Sequence, residues 1–194
     1  HLHDEREIAP KTTPSGFAID HTKQCAQSVA HSWVLQVEGE SKPGNAAYSS
    51  LMIASQGKAI RINHIDRDMA SQLQTVLDEH HQSMVVHGYK EQSHLLESVG
   101  VALPKPLFDT KLAGYLVHPD FHADTLERAA AHFLDLHIEE QSEGATQGTL
   151  DFDEPDDSAQ RNDNQLPRHT AIVGLLARKL ADSLDQREQF SLLE

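Results

Sequence analysis

Alternating apolar and polar residues mark the first part of the chain as β-structure. Residues 32–40 alternate in this way and predict a first strand, with one apolar face formed by Trp33, Leu35 and Val37. Turn residues at 41–45 and 56–57 separate it from two further strands, predicted over 47–55 and 58–63. Because connections this short join antiparallel neighbours, we expect a three-stranded meander.

Helical spacing begins after the meander. Residues 66–82 predict a helix whose apolar face comprises Met69, Leu73, Val76 and Leu77. Residues 84–86 are a short apolar run and predict a buried strand, which we expect to be parallel because a helix precedes it. Another helix is predicted over 93–99, ended by Gly100, and residues 101–107 are irregular with room for one more short strand.

Residues 107–136 predict two short helices that form a hairpin. Asp109 is placed to cap the first helix, and Pro119 stops it because proline lacks an N–H. Asp124 and Glu127 have the spacing of a capping box at the start of the second helix. The predicted apolar faces are Leu112, Tyr115 and Leu116 on the first helix, and Leu126, Ala130, Phe133 and Leu134 on the second.

The two ends of the chain differ in character. Residues 1–31 are polar and predict a linker, with a short strand near 17–19 and a short helix near 24–30. Residues 139–165 predict a disordered acidic loop, since they hold nine acidic residues, one arginine and few apolar ones. Residues 166–193 return to helix, with one side formed by Ile172, Leu176, Leu180 and Leu184.

Charge and composition narrow the possible functions. The 194 residues carry a formal charge of −14, which argues against a chain that binds the phosphates of a nucleic acid by itself. A single cysteine, Cys25, excludes an intrachain disulfide framework, and we interpret it as an inert thiol within the linker. Fourteen histidines are scattered without a zinc-binding pattern, so we read them as surface residues.

With no signal peptide and no membrane-length apolar run, we expect a cytoplasmic protein that spans no membrane. Because the first residue is His1, we expect a fragment of a longer chain.

The hairpin carries a family resemblance. Phe108-Asp109-Thr110, Leu112-Ala113, Tyr115-Leu116, Pro119 and Asp124-x-Leu126-Glu127 resemble a segment of the 3′–5′ exonuclease domain of bacterial (family A) DNA polymerase I. The resemblance implies an α/β (α+β) chain with the ribonuclease H-like fold, a mixed sheet of about five strands flanked by helices. We assign residues 32–194 to this domain.

The same resemblance implies a catalytic site of four carboxylates that hold two divalent metal ions. They are an Asp-x-Glu on the first strand, an Asp after the fourth strand, and an Asp in a Tyr-x-x-x-Asp motif on the last helix. In this chain the first motif falls on Glu38 and Glu40, so that a longer glutamate replaces the aspartate. An alternative reading of both residues is that they are ordinary exposed acids at a strand end.

The other two motifs have lost their ligands. Gln92 stands at the second aspartate position, with Lys90 matching the lysine of the family. His169 replaces the tyrosine and Val173 replaces the metal-binding aspartate, although the variable acidic segment makes this register the least secure. If the register slipped, Asp182 and Asp185 are the nearby acids. Two carboxylates at most would face four positive charges, so we expect no metal or other cofactor in this domain.

The sequence therefore predicts a vestigial, catalytically inactive 3′–5′ exonuclease domain of DNA polymerase I. Its expected role is as a structural scaffold for the polymerase domain of the same chain, in a monomer that meets DNA through the Mg²⁺-dependent parent enzyme. Two alternatives stay open. One is an active metal-dependent 3′–5′ exonuclease, and the other is a non-catalytic module that binds single-stranded DNA.

Overall fold

A mixed sheet of five strands forms the centre of the molecule, in the order β3-β2-β1-β4-β5. The first three strands pair antiparallel, whereas β4 runs parallel to both β1 and β5. The predicted meander and the parallel strand after it are thus confirmed. The strands are β1 (Trp33–Lys42), β2 (Asn45–Ser55), β3 (Lys58–Ile62), β4 (Met84–Val86) and β5 (Phe108–Asp109).

The computed structural model describes residues 24–42, 45–138 and 165–186. Helices cover both faces of the sheet, and a short 3₁₀ turn over His81–Ser83 joins α2 to β4. The helices are α1 (Gln24–Ala30), α2 (Arg67–His80), α3 (Tyr89–Glu97), α4 (Thr110–Val117), α5 (Leu126–Leu134) and α6 (Gln165–Gln186).

Strand β1 divides the apolar side chains between two cores, because successive residues of a strand point to opposite faces. Val34 packs with α1, α4, α5 and α6 on one face. Leu35 and Val37 pack with α2 and α3 on the other. This arrangement of a mixed sheet between two helical layers is the α/β, ribonuclease H-like architecture that the sequence predicted.

The predicted apolar face of α4 is wrong at two of its three residues, whereas the third, Leu116, packs against the core as predicted. Leu112 and Tyr115 are 48% and 50% exposed, and the helix instead buries Thr110, Ala113, Gly114 and Val117. A Cβ atom on Gly114 would lie 3.2 Å from the ring of Phe133. The small residues are therefore the ones that let α4 approach its neighbours closely, and the bulky pair is turned outward.

The start of α5 also differs from the prediction. Thr125, and not Asp124, is the N-cap, and its hydroxyl accepts a hydrogen bond from the backbone N–H of Arg128. Asp124 lies one position earlier and forms an exposed ion pair with the Arg128 side chain at 2.7 Å. The capping role thus belongs to the β-hydroxyl residue, which is a common N-cap.

Three further predictions differ in part from the structure. In α2, Leu73 and Leu77 are buried as predicted, but Met69 and Val76 are 38% and 44% exposed. Helix α3 begins at Tyr89, four residues earlier than predicted. The last short strand is β5, directly after the segment 101–107 in which we expected it.

Helix α1, at the end of the predicted linker, is part of the packed core. Its backbone N–H groups at Cys25 and Ala26 donate to the buried carboxylate of Asp185 on α6, at 3.1 and 2.9 Å. The predicted strand near 17–19 and nearly all of the predicted acidic loop lie outside the described residues. Within the described part of the chain, no helix is both long and apolar enough to cross a membrane.

Candidate functional site

The carboxyl ends of the parallel strands β1 and β4 meet at one edge of the sheet. Trp33 and Val34 pair with Met84 and Val85, so the residues that come next on each strand lie side by side. Gln36 and Glu38 continue β1 on the face covered by α6, since they are two and four positions beyond Val34. This edge is where ligands bind in open α/β sheets.

Gln92 reaches this edge from α3. The chain leaves β4 through Gly88, whose φ of +74° suits glycine, and turns directly into the helix. The Gln92 side chain is almost fully buried, and its Nε2 donates to the Gln36 Oε1 at 3.2 Å and to the backbone oxygen of His87 at 2.6 Å. Its Oε1 is buried without a hydrogen-bond partner among the described residues. The uncharged amide groups of Gln36 and Gln92 therefore lie together near the carboxyl ends of β1 and β4.

His87 adds a further neutral group. Its Nδ1 lies 2.8 Å from the Thr110 hydroxyl, which is also 3.3 Å from the backbone oxygen of Val86. Burial lowers the pKa of His87 to about 4, with Lys111 acting in the same direction against nearby carboxylates. The imidazole is therefore uncharged at neutral pH.

Glu38 and Glu40 occupy different environments. The Glu38 carboxylate accepts a hydrogen bond from the Ser50 hydroxyl at 3.1 Å and is half-buried. Glu40 is exposed, beyond an irregularity in the pairing of β1 with β2 that falls between Glu38 and Gly39. Gly39 is needed there because a Cβ atom would clash with the backbone oxygen of Ala47. Of the two acids, Glu38 is thus the more buried.

The two residues predicted on the last helix have different surroundings. His169 Nε2 lies 3.1 Å from the Glu127 Oε1 on α5, with both side chains mostly buried. Val173 is fully buried, in the same apolar core as Val34 and Val85. The side chain at the third motif position, Val173, therefore packs in the core and cannot bind a metal.

The alternative acids are placed elsewhere. Asp185 is buried and caps α1, and its carboxylate accepts hydrogen bonds from two backbone N–H groups. Asp182 is exposed on the same helix. Asp185 thus has a structural role that accounts for its burial.

Three site residues were missed by sequence reasoning: Gln36, His87 and Glu127. Nothing in the sequence indicates that Gln36 belongs to a ligand-binding site, although its position two residues before Glu38 places it on the same face of β1. His87 was treated as one of many surface histidines. Glu127 was assigned to a helix cap, whereas its side chain contacts His169.

The side chains at the candidate site do not provide the ligands that two divalent metal ions require. Mg²⁺ prefers six oxygen ligands in near-octahedral geometry, several of them anionic or water. Here Gln92 presents an amide nitrogen to its neighbours, Val173 has no donor atom, and the described residues contain no group of three or more metal-binding side chains. The described residues at this site therefore do not support a two-metal reaction.

Comparisons with known proteins identify the fold. No protein-family model matches the chain, and no curated protein matches it significantly. Solved structures do match. The POL domain of Pol1 from M. smegmatis, in complex with DNA primer-template and dNTP, has a TM-score of 0.64 at 19% identity and covers 90% of this chain but 28% of its own.

Two further structures support the same conclusion. Brucella melitensis NrnC has a TM-score of 0.60 at 15% identity, covering 88% of this chain and 81% of its own. The catalytic core of RRP6 from Trypanosoma brucei, mutant C496S, has a TM-score of 0.56 at 15% identity, covering 90% and 49%. At these identities the likeness establishes the fold alone, a ribonuclease H-like mixed sheet flanked by helices. The chain spans little more than a quarter of the Pol1 chain.

Proposed function

We propose that this chain is a 3′–5′ exonuclease-type domain of a bacterial DNA polymerase I that has lost catalysis and serves as a structural scaffold. The observation that carries the proposal is the contact between Gln36 and Gln92. It places two neutral amides at the sheet edge where the exonuclease resemblance requires carboxylates. An intact fold around a site without charged ligands is what loss of catalysis with retention of structure would leave.

The contact also favours a shifted reading of the first motif. Because Gln36 faces the second-motif residue Gln92, we assign the first-strand pair to Gln36 and Glu38 instead of Glu38 and Glu40. In this register Glu38 is the one carboxylate that remains among the four motif positions. A single carboxylate offers too little negative charge to hold two divalent ions close together.

The proposed partner is a polymerase domain in the same chain. This part of the proposal is supported by the match to a Pol1 structure of which the present chain covers 28%. The parent enzyme would be a cytoplasmic, monomeric, Mg²⁺-dependent DNA polymerase that acts in replication and repair. Within it, this domain would contact DNA only through its neighbour.

Calorimetric titration of Mg²⁺ and Mn²⁺ into the purified domain tests the loss of the metal site. We expect no saturable binding up to low millimolar metal, and no degradation of single-stranded DNA with either ion. The matched comparison is the double variant Gln36→Asp/Gln92→Asp, which restores two carboxylates and should gain Mn²⁺ binding. Two-site binding by the unmodified domain, with metal-dependent hydrolysis lost in Glu38→Ala, would establish the active exonuclease instead.

A second candidate function is the holding of single-stranded DNA without metal. It is favoured by Tyr115, which is half exposed and stacks on His122 with ring centroids 6.2 Å apart. Exposed aromatic rings are platforms for unpaired bases. A labelled oligonucleotide titrated in the presence of EDTA distinguishes the candidates. Salt-sensitive binding that Tyr115→Ala abolishes would favour this module over a pure scaffold, whereas Tyr89→Phe, away from this surface, serves as the aromatic control.

A further inference from the structure

A groove lies between α6 and the β2–β3 hairpin, with a volume of about 350 Å³. One end of it lies beside the candidate site, because its lining includes Met52, the β2 partner of Gln36. Ala54, which lines it, pairs with Val34 near the start of β1, whereas Gln36 and Glu38 lie further along that strand. The groove therefore extends from the neighbourhood of Gln36 towards the β2–β3 turn, and a role for it does not require the proposed loss of catalysis.

The lining of the groove is largely apolar. Its floor includes Ala54 and Ala59, which are paired neighbours on β2 and β3. On α6, Gly174 has no side chain to fill the space, and the adjoining Leu175 is 48% exposed. Small residues thus leave room on the sheet face that α6 covers, beside an exposed leucine.

The charges at the groove have one sign. Two charged residues line it, Lys58 and Arg178, and both are exposed. Neither forms an ion pair with another described residue. In a chain with a formal charge of −14, this is a local cationic patch around an apolar floor.

The groove also borders an open sheet edge. Strand β3 is at the end of the sheet order, and no described strand pairs with its outer side. Lys58 and Ala59 belong to this strand. The outer side of β3 is thus an edge of the described sheet, to which a further strand can be added.

We propose that this groove binds an extended peptide of a partner protein that carries both apolar side chains and carboxylates. The peptide would pair with the outer edge of β3, place apolar side chains over Ala54 and Ala59, and set its carboxylates against Lys58 and Arg178. Ala54, Ala59 and Arg178 are on the α6 side of the sheet, so a leucine and an aspartate two positions apart in the peptide would both face the groove. A nucleic acid fits less well, since the lining offers two cations and no aromatic ring for base stacking.

Fluorescence anisotropy tests the proposal with the full chain and a short labelled peptide in which leucine and aspartate are two positions apart, separated by serine. We expect saturable binding that Arg178→Glu weakens at least about fivefold, as the loss and reversal of one ion pair would do. The matched control is Lys179→Glu, which makes the same charge change on the next residue of α6, outside the groove. Ala171→Phe provides a second variant, because it narrows the groove without altering charge, and circular dichroism checks that each variant folds.

Several outcomes would overturn the proposal. These are the absence of binding at about 1 mM peptide, equal weakening by the two charge reversals, or equal binding of a peptide in which lysine replaces aspartate. Displacement of the peptide by single-stranded DNA would assign the groove to nucleic acid. Concentration-dependent dimerisation in sedimentation, lost in Arg178→Glu, would assign it to a second copy. A gain of about tenfold in peptide affinity when a Gly-Ser linker replaces residues 141–163 would place the occupant within this chain.

Discussion

The carboxylate of Asp109 accepts a hydrogen bond from the backbone N–H of Tyr89, at 2.8 Å, across 20 residues of sequence. The same carboxylate accepts from the N–H groups of Gly88 and Lys111, each at 2.9 Å. One side chain thus caps both α3, which carries Gln92, and α4, which carries Thr110. The orientation of two site elements depends on a single residue.

We expect Asp109→Ala to lower the free energy of unfolding by about 2–4 kcal/mol, because it leaves three N–H groups without their charged acceptor. Asp66→Ala is the control, since Asp66 caps α2 alone through one hydrogen bond to Met69 N, and should cost about 1 kcal/mol. Urea unfolding of both variants measures the difference. Equal losses would show that Asp109 caps only one helix in solution.

The buried thiol of Cys25 reports on the attachment of α1 to α6. Burial, followed by the charges of Asp185 and Asp182, raises its pKa to about 12, so the native protein should react slowly with a thiol reagent. Asp185→Ala removes the cap of α1 and should accelerate the reaction at least about tenfold through local opening. Asp182→Ala also removes a neighbouring negative charge but leaves the cap. If both variants react at the same rate, charge and not helix attachment protects the thiol.

Stability should fall at mildly acidic pH because of His87. Its pKa is about 4 in the folded protein and near 6.5 when unfolded, so between these values the unfolded chain binds the additional proton. The contribution is present above pH 6.5 and is lost as the pH falls towards 4. From pH 7 to pH 5 the loss should be about 2 kcal/mol.

Urea unfolding at the two pH values measures this loss directly. His87→Gln should remove the pH-dependent part, whereas the same change at the exposed His64 should keep it. A pH dependence that survives in His87→Gln would show that other groups cause it.

Two glycines should respond to alanine with opposite signs. Gly39→Ala places a Cβ atom against the backbone of Ala47, which cannot move aside cheaply, and should destabilise by about 2 kcal/mol or more. Gly174→Ala meets only Val34 Cγ2 at 3.6 Å, an ordinary contact, and should stabilise α6 by about 0.5–1 kcal/mol. Thermal unfolding of the pair provides the comparison. A stabilising Gly39→Ala would mean that β1 and β2 lie further apart in solution than the Ala47 contact requires.

The strands were predictable because their signal is local. Alternation at Trp33, Leu35 and Val37 and a turn at Gln56-Gly57 define the meander without reference to the remainder of the chain. The buried face of α4 was not predictable in this way. Leu112 and Tyr115 have the more apolar side chains, but the close approach of α4 to Phe133 requires small residues, and this is a tertiary constraint.

In the candidate site, too, residues marked by a local sequence signal were predictable and those defined by tertiary contacts were not. The resemblance directed attention to Gln92, His169 and Val173, whose positions relative to the sheet the structure now supplies. Gln36 was missed because glutamine on a strand carries no chemical signal until its contact with Gln92 is known. Pairings between distant elements, such as that of His169 with Glu127, have no trace in either local sequence.

Val173 also affects how this sequence can change over generations. Its side chain is sealed within the core, so a mutation to aspartate would bury a charge before any cation was present to neutralise it. Such a variant would be less stable than the present protein. A single mutation to aspartate at this position therefore carries a cost in stability that opposes its retention.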